Sequence, residues 1–126
     1  MADSIIAQTG KDIITALKSN SELAKLIGNR VYPLIADEGT TFPFVVYRRT
    51  ALSPDTNKDE GINATTVEIV AISDKYSDSV KAADIIYATL ANYTSDRISE
   101  IKVTTAYEQW TDNAFLQTIQ AEINYY

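Results

Sequence analysis

The chain has 126 residues, 45% hydrophobic and 22% charged, and carries a formal net charge of −6 from 17 acidic and 11 basic side chains. This length fits one domain over 1–126 that can bury roughly two-thirds of its extended surface, and the composition is that of a folded protein rather than a disordered one. No apolar run approaches the roughly 20 residues needed to span a bilayer, no basic-then-apolar leader opens the chain, and the acidic excess argues against stable nucleic-acid binding, which draws most of its affinity from neutralising phosphates.

The first segment reads as a helix. Ile6, Ile13 and Leu17, with Ile14 beside them, recur at near-helical spacing, Asp3 or Ser4 can cap its start, and Gly10 weakens its middle. A second short helix runs from Ser21, a plausible N-cap, to Gly28, a plausible left-handed stop. Asn29 to Ile35 is extended but carries Pro33, which cannot donate to a ladder and so belongs at a sheet edge or in a connection. Phe42 to Arg49 is a strand rich in aromatic and branched side chains, and Thr65 to Ser73 is another, with Val67, Ile69 and Ala71 on one face.

Helix returns from about Ser77 to Asn92, capped by Ser77, with Val80, Ala83, Tyr87 and Leu90 as its apolar stripe and Ile86 next to it. Two long alternating runs close the chain. Ile101, Val103 and Tyr107 share a face of the first, and Ile119, Ala121, Ile123 and Tyr125 share a face of the last. Glu100, Lys102, Thr104 and Glu108, then Thr118, Gln120, Glu122 and Asn124, occupy the opposite faces. Thr111-Asp112-Asn113 marks the turn of a hairpin between them. One apolar and one polar face is the pattern of an antiparallel sheet covered on a single side. The expected fold is therefore α+β, in two layers: a mainly antiparallel sheet with the helices packed on one face.

Few residues are suited to covalent chemistry. Cysteine and histidine are absent. Disulfides and thiol chemistry are thereby excluded, as are the commonest general base and the commonest metal ligand, and the lack of cysteine suits a reducing cytosol. The Asn-x-Thr sequons at Asn63 and Asn92 read as chance without a secretion signal. In SPDTNKDEGINATT, Ser53 to Thr66, the alternation of Asp55, Asn57 and Asp59 imitates the start of a calcium loop. Glu60 stands where such a loop needs glycine, Thr66 stands where it needs a bidentate glutamate, and the flanks read as strands. The stretch is a polar strand-to-strand loop, and neither a metal nor another cofactor is expected.

Ser99 and Lys102 have the spacing of a serine-lysine pair, which works on a helix; on a strand, residues three apart face opposite ways. The four glycines are too scattered for a phosphate loop. A hydrolase using Glu68 or Glu108 would need two acids converging in one pocket, which strand positions give no reason to expect. Arg48 and Arg49, adjacent on a strand, point to opposite sides; solvated or ion-paired arginines are the plain reading, and contact with an acidic partner the sharper one. Trp110, Tyr125 and Tyr126 stand where partial exposure is expected, and rim aromatics are common at interfaces.

The segment GNRVYPLIADEGTTFPFVVYRRT, Gly28 to Thr50, carries a resemblance. A short helix ending in Leu-Ile-Gly leads to an Arg-Val-Tyr-Pro step, a polar loop and a Phe-Pro-Phe-Val-Val-Tyr strand. This order resembles the tail-completion proteins of long-tailed bacteriophages, relatives of head-to-tail joining and tail-terminator proteins. The likeness covers nearly the whole chain in element order, and Leu23 to Arg49 in residue pattern. It implies a non-enzymatic virion protein that forms a ring at the head-proximal end of the tail and joins or seals the tail to the head connector. The partners it implies are copies of itself, the tail-tube protein and the head connector, with assembly in the bacterial host cytoplasm. On this reading Arg48, Arg49, Asp55, Asn57 and Asp59 are candidate subunit contacts, the loop acting as a contact arm. A small α+β domain gripping a peptide or small molecule is the alternative.

Overall fold

The computed structural model describes the backbone of residues 5–54 and 63–126, and the side chains of 8–50 and 64–126. Helices α1 (Ile5–Lys18) and α2 (Ser21–Ile27) precede strands β1 (Val31–Pro33), β2 (Phe44–Pro54) and β3 (Asn63–Ser73). Helix α3 (Tyr76–Ala91) leads to the closing strands β4 (Ile98–Thr111) and β5 (Ala114–Tyr125). The five strands form one sheet in the order β1-β2-β3-β5-β4, antiparallel except for the parallel β1–β2 pair. The fold is α+β, as the alternation of the strands implies. Pro33 ends an edge strand of three residues, the place where its missing N–H is least missed.

One face of the sheet is covered. Ile13 and Leu17 of α1, Leu23 and Ile27 of α2, and Ala82, Ile86 and Leu90 of α3 form a single core with Val45, Val67, Ile69, Ile119, Ala121 and Ile123. The Tyr47 ring lies against Gly10 of α1, where an added Cβ would sit 3.5 Å from the Tyr47 hydroxyl, an ordinary contact that the packing would tolerate. Tyr125, expected to be partly exposed, is 4% exposed. Its hydroxyl donates to Asp12 Oδ2 at 3.0 Å and lies 3.3 Å from Thr9 Oγ1, fastening the last strand to the first helix. Burial, reinforced by the Asp12 carboxylate and opposed by Thr9 and Arg97, pushes the phenol up to about 12.

Several local expectations change. The cap of α2 is Asn20, not Ser21: its side chain accepts from the N–H groups of Glu22 and Leu23 and donates to Thr89 Oγ1 of α3 at 3.0 Å. An amide can do both at once, whereas a serine hydroxyl reaches less far. Gly28 stops α2 with φ +60 but ψ −129, so it is extended beyond the left-handed helical region. Asp3, Ser4 and the Ile6 side chain lie outside the described residues.

Helix α3 starts at Tyr76 rather than Ser77 and turns a different stripe inward: Ser79, Ala82, Ile86 and Leu90 are buried. Val80 and Tyr87 are exposed. Small residues face the sheet because they let the helix lie close, and Ser79 satisfies its hydroxyl on Tyr76 O at 2.7 Å.

Irregularities in the ladder also move side chains between faces. Register shifts occur at Thr50 in β2 and at Ser99 and Thr104 in β4. At each one the extra residue is hydroxylic and donates across: Thr50 Oγ1 to Thr66 O, Ser99 Oγ to Asn124 O, and Thr104 Oγ1 to Gln120 O, at 3.0 to 3.2 Å. A bulge leaves a ladder group unpaired, and these side chains supply the missing bond. Because the shift reverses the alternation, Tyr107 pairs with Thr118 on the uncovered face rather than sharing a face with Ile101 and Val103. The turn at Asp112 and Asn113 has φ +51 and +61, the double positive φ of a two-residue hairpin loop.

Candidate assembly interface

The uncovered face can be read row by row from the register. Phe44, Ile72, Leu116 and Gln109 form one row across β2, β3, β5 and β4, and Val46, Val70, Thr118 and Tyr107 form the next, with Tyr32 of β1 beside Val46. The third row is Arg48, Glu68, Gln120 and Thr105; beyond it come Thr66, Glu122 and Lys102, then Ala64, Asn124 and Glu100. The face expected to be polar throughout is thus divided. Its β5 and β4 contributions are mostly polar, Leu116 and Tyr107 apart, but the first half of β2 and the second half of β3, which pair with each other, place apolar side chains on both faces. Phe44-Val45-Val46 and Ile69-Val70-Ala71-Ile72 are the signal, since unbroken apolar runs mark strands buried on both sides.

The apolar half is bordered by the β1–β2 connection. Leu34 and Ile35 are 72% and 80% exposed, and Phe42 stacks on Phe44 with ring centroids 5.6 Å apart. Together with Val46 and Ile72 they line an open hollow of about 390 Å³. Leu34 holds φ +64, a conformation costly for a bulky side chain, and is fixed there by its N–H donating to Tyr47 O at 2.8 Å.

The polar half begins with an ordered ion pair. Arg48 Nε donates to Glu68 Oε1 at 3.1 Å, and Gln120 Nε2 donates to Glu68 Oε2 at 3.1 Å. Arg49 sits opposite Val67 on the covered side, lining a cleft of about 250 Å³ with Thr9, Gly10 and Tyr47. The two arginines pair on opposite faces of the strand, although both border that cleft. Asp55, Asn57 and Asp59, and with them the contact-arm and calcium-loop readings, lie outside the described residues. The flanks of that stretch are strands, as expected, but they run further than the sequence reading placed them: β2 continues to Pro54 and β3 begins at Asn63, so both ends of Ser53–Thr66 belong to the ladder.

The far edge carries a second aromatic group. On the covered side, beyond the N-terminal end of α3, Phe115 meets Trp110 at 4.5 Å and Tyr76 at 5.3 Å between ring centroids. Trp110 is 57% exposed. Glu108 Oε1 accepts from Tyr76 Oη at 2.9 Å and Gln117 Nε2 at 3.1 Å, and the Tyr76 bond holds that phenol above its usual range. Glu68 and Glu108 thus lie on opposite faces of the sheet, so the two do not converge in one pocket.

The face-alternation argument fails for Ser99 and Lys102, because the bulge at Ser99 breaks the alternation and lets Ile98 and Ile101 both reach the core. Ser99 Oγ is nevertheless committed to the Asn124 carbonyl. Among the described residues no cluster of acids could hold a metal ion, and no helix is long and apolar enough to cross a membrane.

What the surface offers is apolar relief, aromatic rims and strand edges, the equipment of a protein that works by contact. The sequence matches the family Tail completion protein gp17 over residues 11–123. The chain belongs to that family, and is a structural protein of a phage-type virion tail. The fold is similar to a chain in the virion of a native gene transfer agent particle, with TM-score 0.77 and 14% identity over 90% of each chain. No curated protein matches the sequence.

Proposed function

We propose that 1–126 acts as one tail-completion domain whose copies form a ring at the head-proximal end of the tail, joining or sealing the tail to the head connector. The observation that carries the reading is the family match over residues 11–123. The exposed hollow and aromatic rims support it, because a protein that works alone in water rarely leaves such surfaces uncovered. The net charge of −6 suits a ring through which DNA passes, since an acidic bore repels the strand rather than holding it. The partners are other copies of the chain, the tail-tube protein and the connector, whether the ring forms beforehand or only on assembly. Arg48, Arg49, Asp55, Asn57 and Asp59 serve as contacts to those neighbours, and the work involves no catalysis.

The test is to produce the protein alone and together with the neck and tail proteins of the same particle, and to follow assembly by light scattering and electron microscopy. A ring of density at the head-proximal end of tails, lost when the gene is deleted, is the expected result. Tails that join heads normally without the protein would overturn the reading. Deleting Asp55 to Glu60 should leave the domain folded and impair attachment.

A further inference from the structure

Three rings and one carboxylate meet near the turn of the β4–β5 hairpin. Phe115 of β5 stands between Tyr76, the first residue of α3, and Trp110 of β4, its ring plane at 74° to the one and 53° to the other. Planes inclined in this way enclose a corner instead of stacking. With Glu108, Gln109 and Gln117 they line a hollow of about 220 Å³. Trp110 and Tyr76 are each about half exposed, so both rings are presented to solvent rather than absorbed into the core.

Glu108 gives the corner its charge. Tyr76 Oη and Gln117 Nε2 both donate to its Oε1, which fixes the carboxylate and leaves Oε2 without a partner among the described residues. Gln117 Nε2 is steadied in turn by donating to Ser79 Oγ at 3.3 Å. No described cation answers this carboxylate, since the two salt bridges of the described residues join Arg48 to Glu68 and Arg97 to Asp12. Among the residues flanking the rings, Asp74, Glu108 and Asp112 stand against Lys75, a sum of −2. Asp78, in the first turn of α3, offsets the positive end of that helix.

Aromatic faces attract cations, and a carboxylate beside them adds a charged acceptor. A neutral apolar guest would strip water from Glu108 without replacing it, and an anion would be repelled. Guanidinium suits the corner better than ammonium, because it is planar and weakly hydrated and can lie on an indole while forking onto a carboxylate.

We propose that this corner binds the guanidinium of an arginine carried by another protein, stacked on Trp110 and hydrogen-bonded to Glu108. The arginines of the chain itself are engaged: Arg30 with the carbonyls of Pro43 and Leu26, Arg48 with Glu68, Arg97 with Asp12, and Arg49 in a contact of its own. A second copy would have to give up one of these contacts to fill the corner, whereas a different protein brings a new arginine. The site serves such a neighbour whether or not copies close into a ring.

Trp110 is the only tryptophan of the chain, so its fluorescence reports the site without a second indole. Titrating the full chain with N-acetyl-arginine methylamide should shift that emission saturably, with half-saturation at about millimolar concentration. The citrulline analogue, alike in shape but uncharged, should bind about tenfold more weakly or worse. Glu108→Gln keeps an acceptor for Tyr76 and Gln117 but loses the charge. It should weaken the arginine probe about tenfold with circular dichroism unchanged. Tyr87→Ala, an exposed aromatic further along α3, should leave the titration as it was. Mixed with the neck and tail proteins of the same particle, Glu108→Gln should lose about tenfold in binding to one of them and keep the self-association of the parent.

No saturation, or an equal response to the citrulline analogue, would overturn the cation site. Equal binding of the Nα-acetyl-lysine counterpart would overturn the choice of guanidinium. Lost self-association in Glu108→Gln, or unchanged binding to every neck and tail protein, would overturn the assignment of the arginine to another protein.

Discussion

The two faces of the sheet are built from the same strands yet solve different problems. On the covered face three helices close over aliphatic rows, and Ile69, Ala82, Ile86 and Ala121 have no exposure at all. On the other face nothing among the described residues covers Phe44, Val46 and Ile72 beyond the rim of the β1–β2 connection. Apolar surface left half-covered contributes little to the stability of one copy. On the proposed assembly reading it is surface available for association, since removing it from water would release free energy when a partner arrives. The difference separates what makes this chain fold from what equips it to assemble.

Paired truncations break that comparison most sharply. Ile69→Ala should cost about 2–5 kcal/mol in urea unfolding, because its cavity would be enclosed on all sides. Ile72→Ala, three residues along the same strand, should cost about 1 kcal/mol, since water already reaches part of it. Equal losses at the two sites would mean that the uncovered face is as much a part of the core as the covered one.

The seam between α1 and β5 gives the next largest effect. Tyr125→Phe removes the hydroxyl that donates to Asp12 and meets Thr9, and should cost about 1–2 kcal/mol at neutral pH. The alkaline limb identifies the cause. With its folded value raised to about 12 from 10.0, the phenol contributes stability fully below pH 10 and loses it as the pH rises through about 12. The variant should lack that part of the alkaline decline; an unchanged slope would assign the decline to Tyr47, raised by burial, or to Tyr76, raised by its bond to Glu108.

The helix layer is tied to itself by Asn20. Asn20→Ala loses the cap of α2 and the bond to Thr89, and about 1 kcal/mol is expected from thermal unfolding. Asn20→Asp should recover the cap but not the donor to Thr89. A variant as stable as the parent would show that packing of Leu23 and Ile27 alone holds α2.

Much of this was legible in the chain before any coordinates, and the failures have specific causes. The alternation of Ile119, Ala121, Ile123 and Tyr125, the Asp-Asn turn and the edge position of Pro33 each depend on local chemistry, and each appears as expected. The face of Tyr107 was lost because a bulge at Thr104 leaves no mark in hydropathy; a threonine there reads like any strand threonine. The inward stripe of α3 was misassigned because Val80 and Tyr87 are more apolar than Ser79 and Ala82, whereas close approach to a sheet favours small side chains. The hollow draws on β2, β3 and the connection after β1, so no single segment could reveal it. Its sign was present in the consecutive apolar residues of two strands.

The smallest effect belongs to Arg48, and it tests the division from the polar side. Its ion pair with Glu68 is ordered but Arg48 is about half exposed, at 54%, so water and salt screen most of the attraction. Arg48→Ala should change the stability of one copy by about 0.5 kcal/mol or less, and the difference should fade in high salt. Glu68 keeps the Gln120 donor in either case, so its carboxylate is not left bare. A loss several times larger, insensitive to salt, would mean that Arg48 helps to hold the sheet together and is not spare for a neighbour. With the small loss, a failure of Arg48→Glu to assemble would count as evidence of contact, because folding would already have been excluded as its cause.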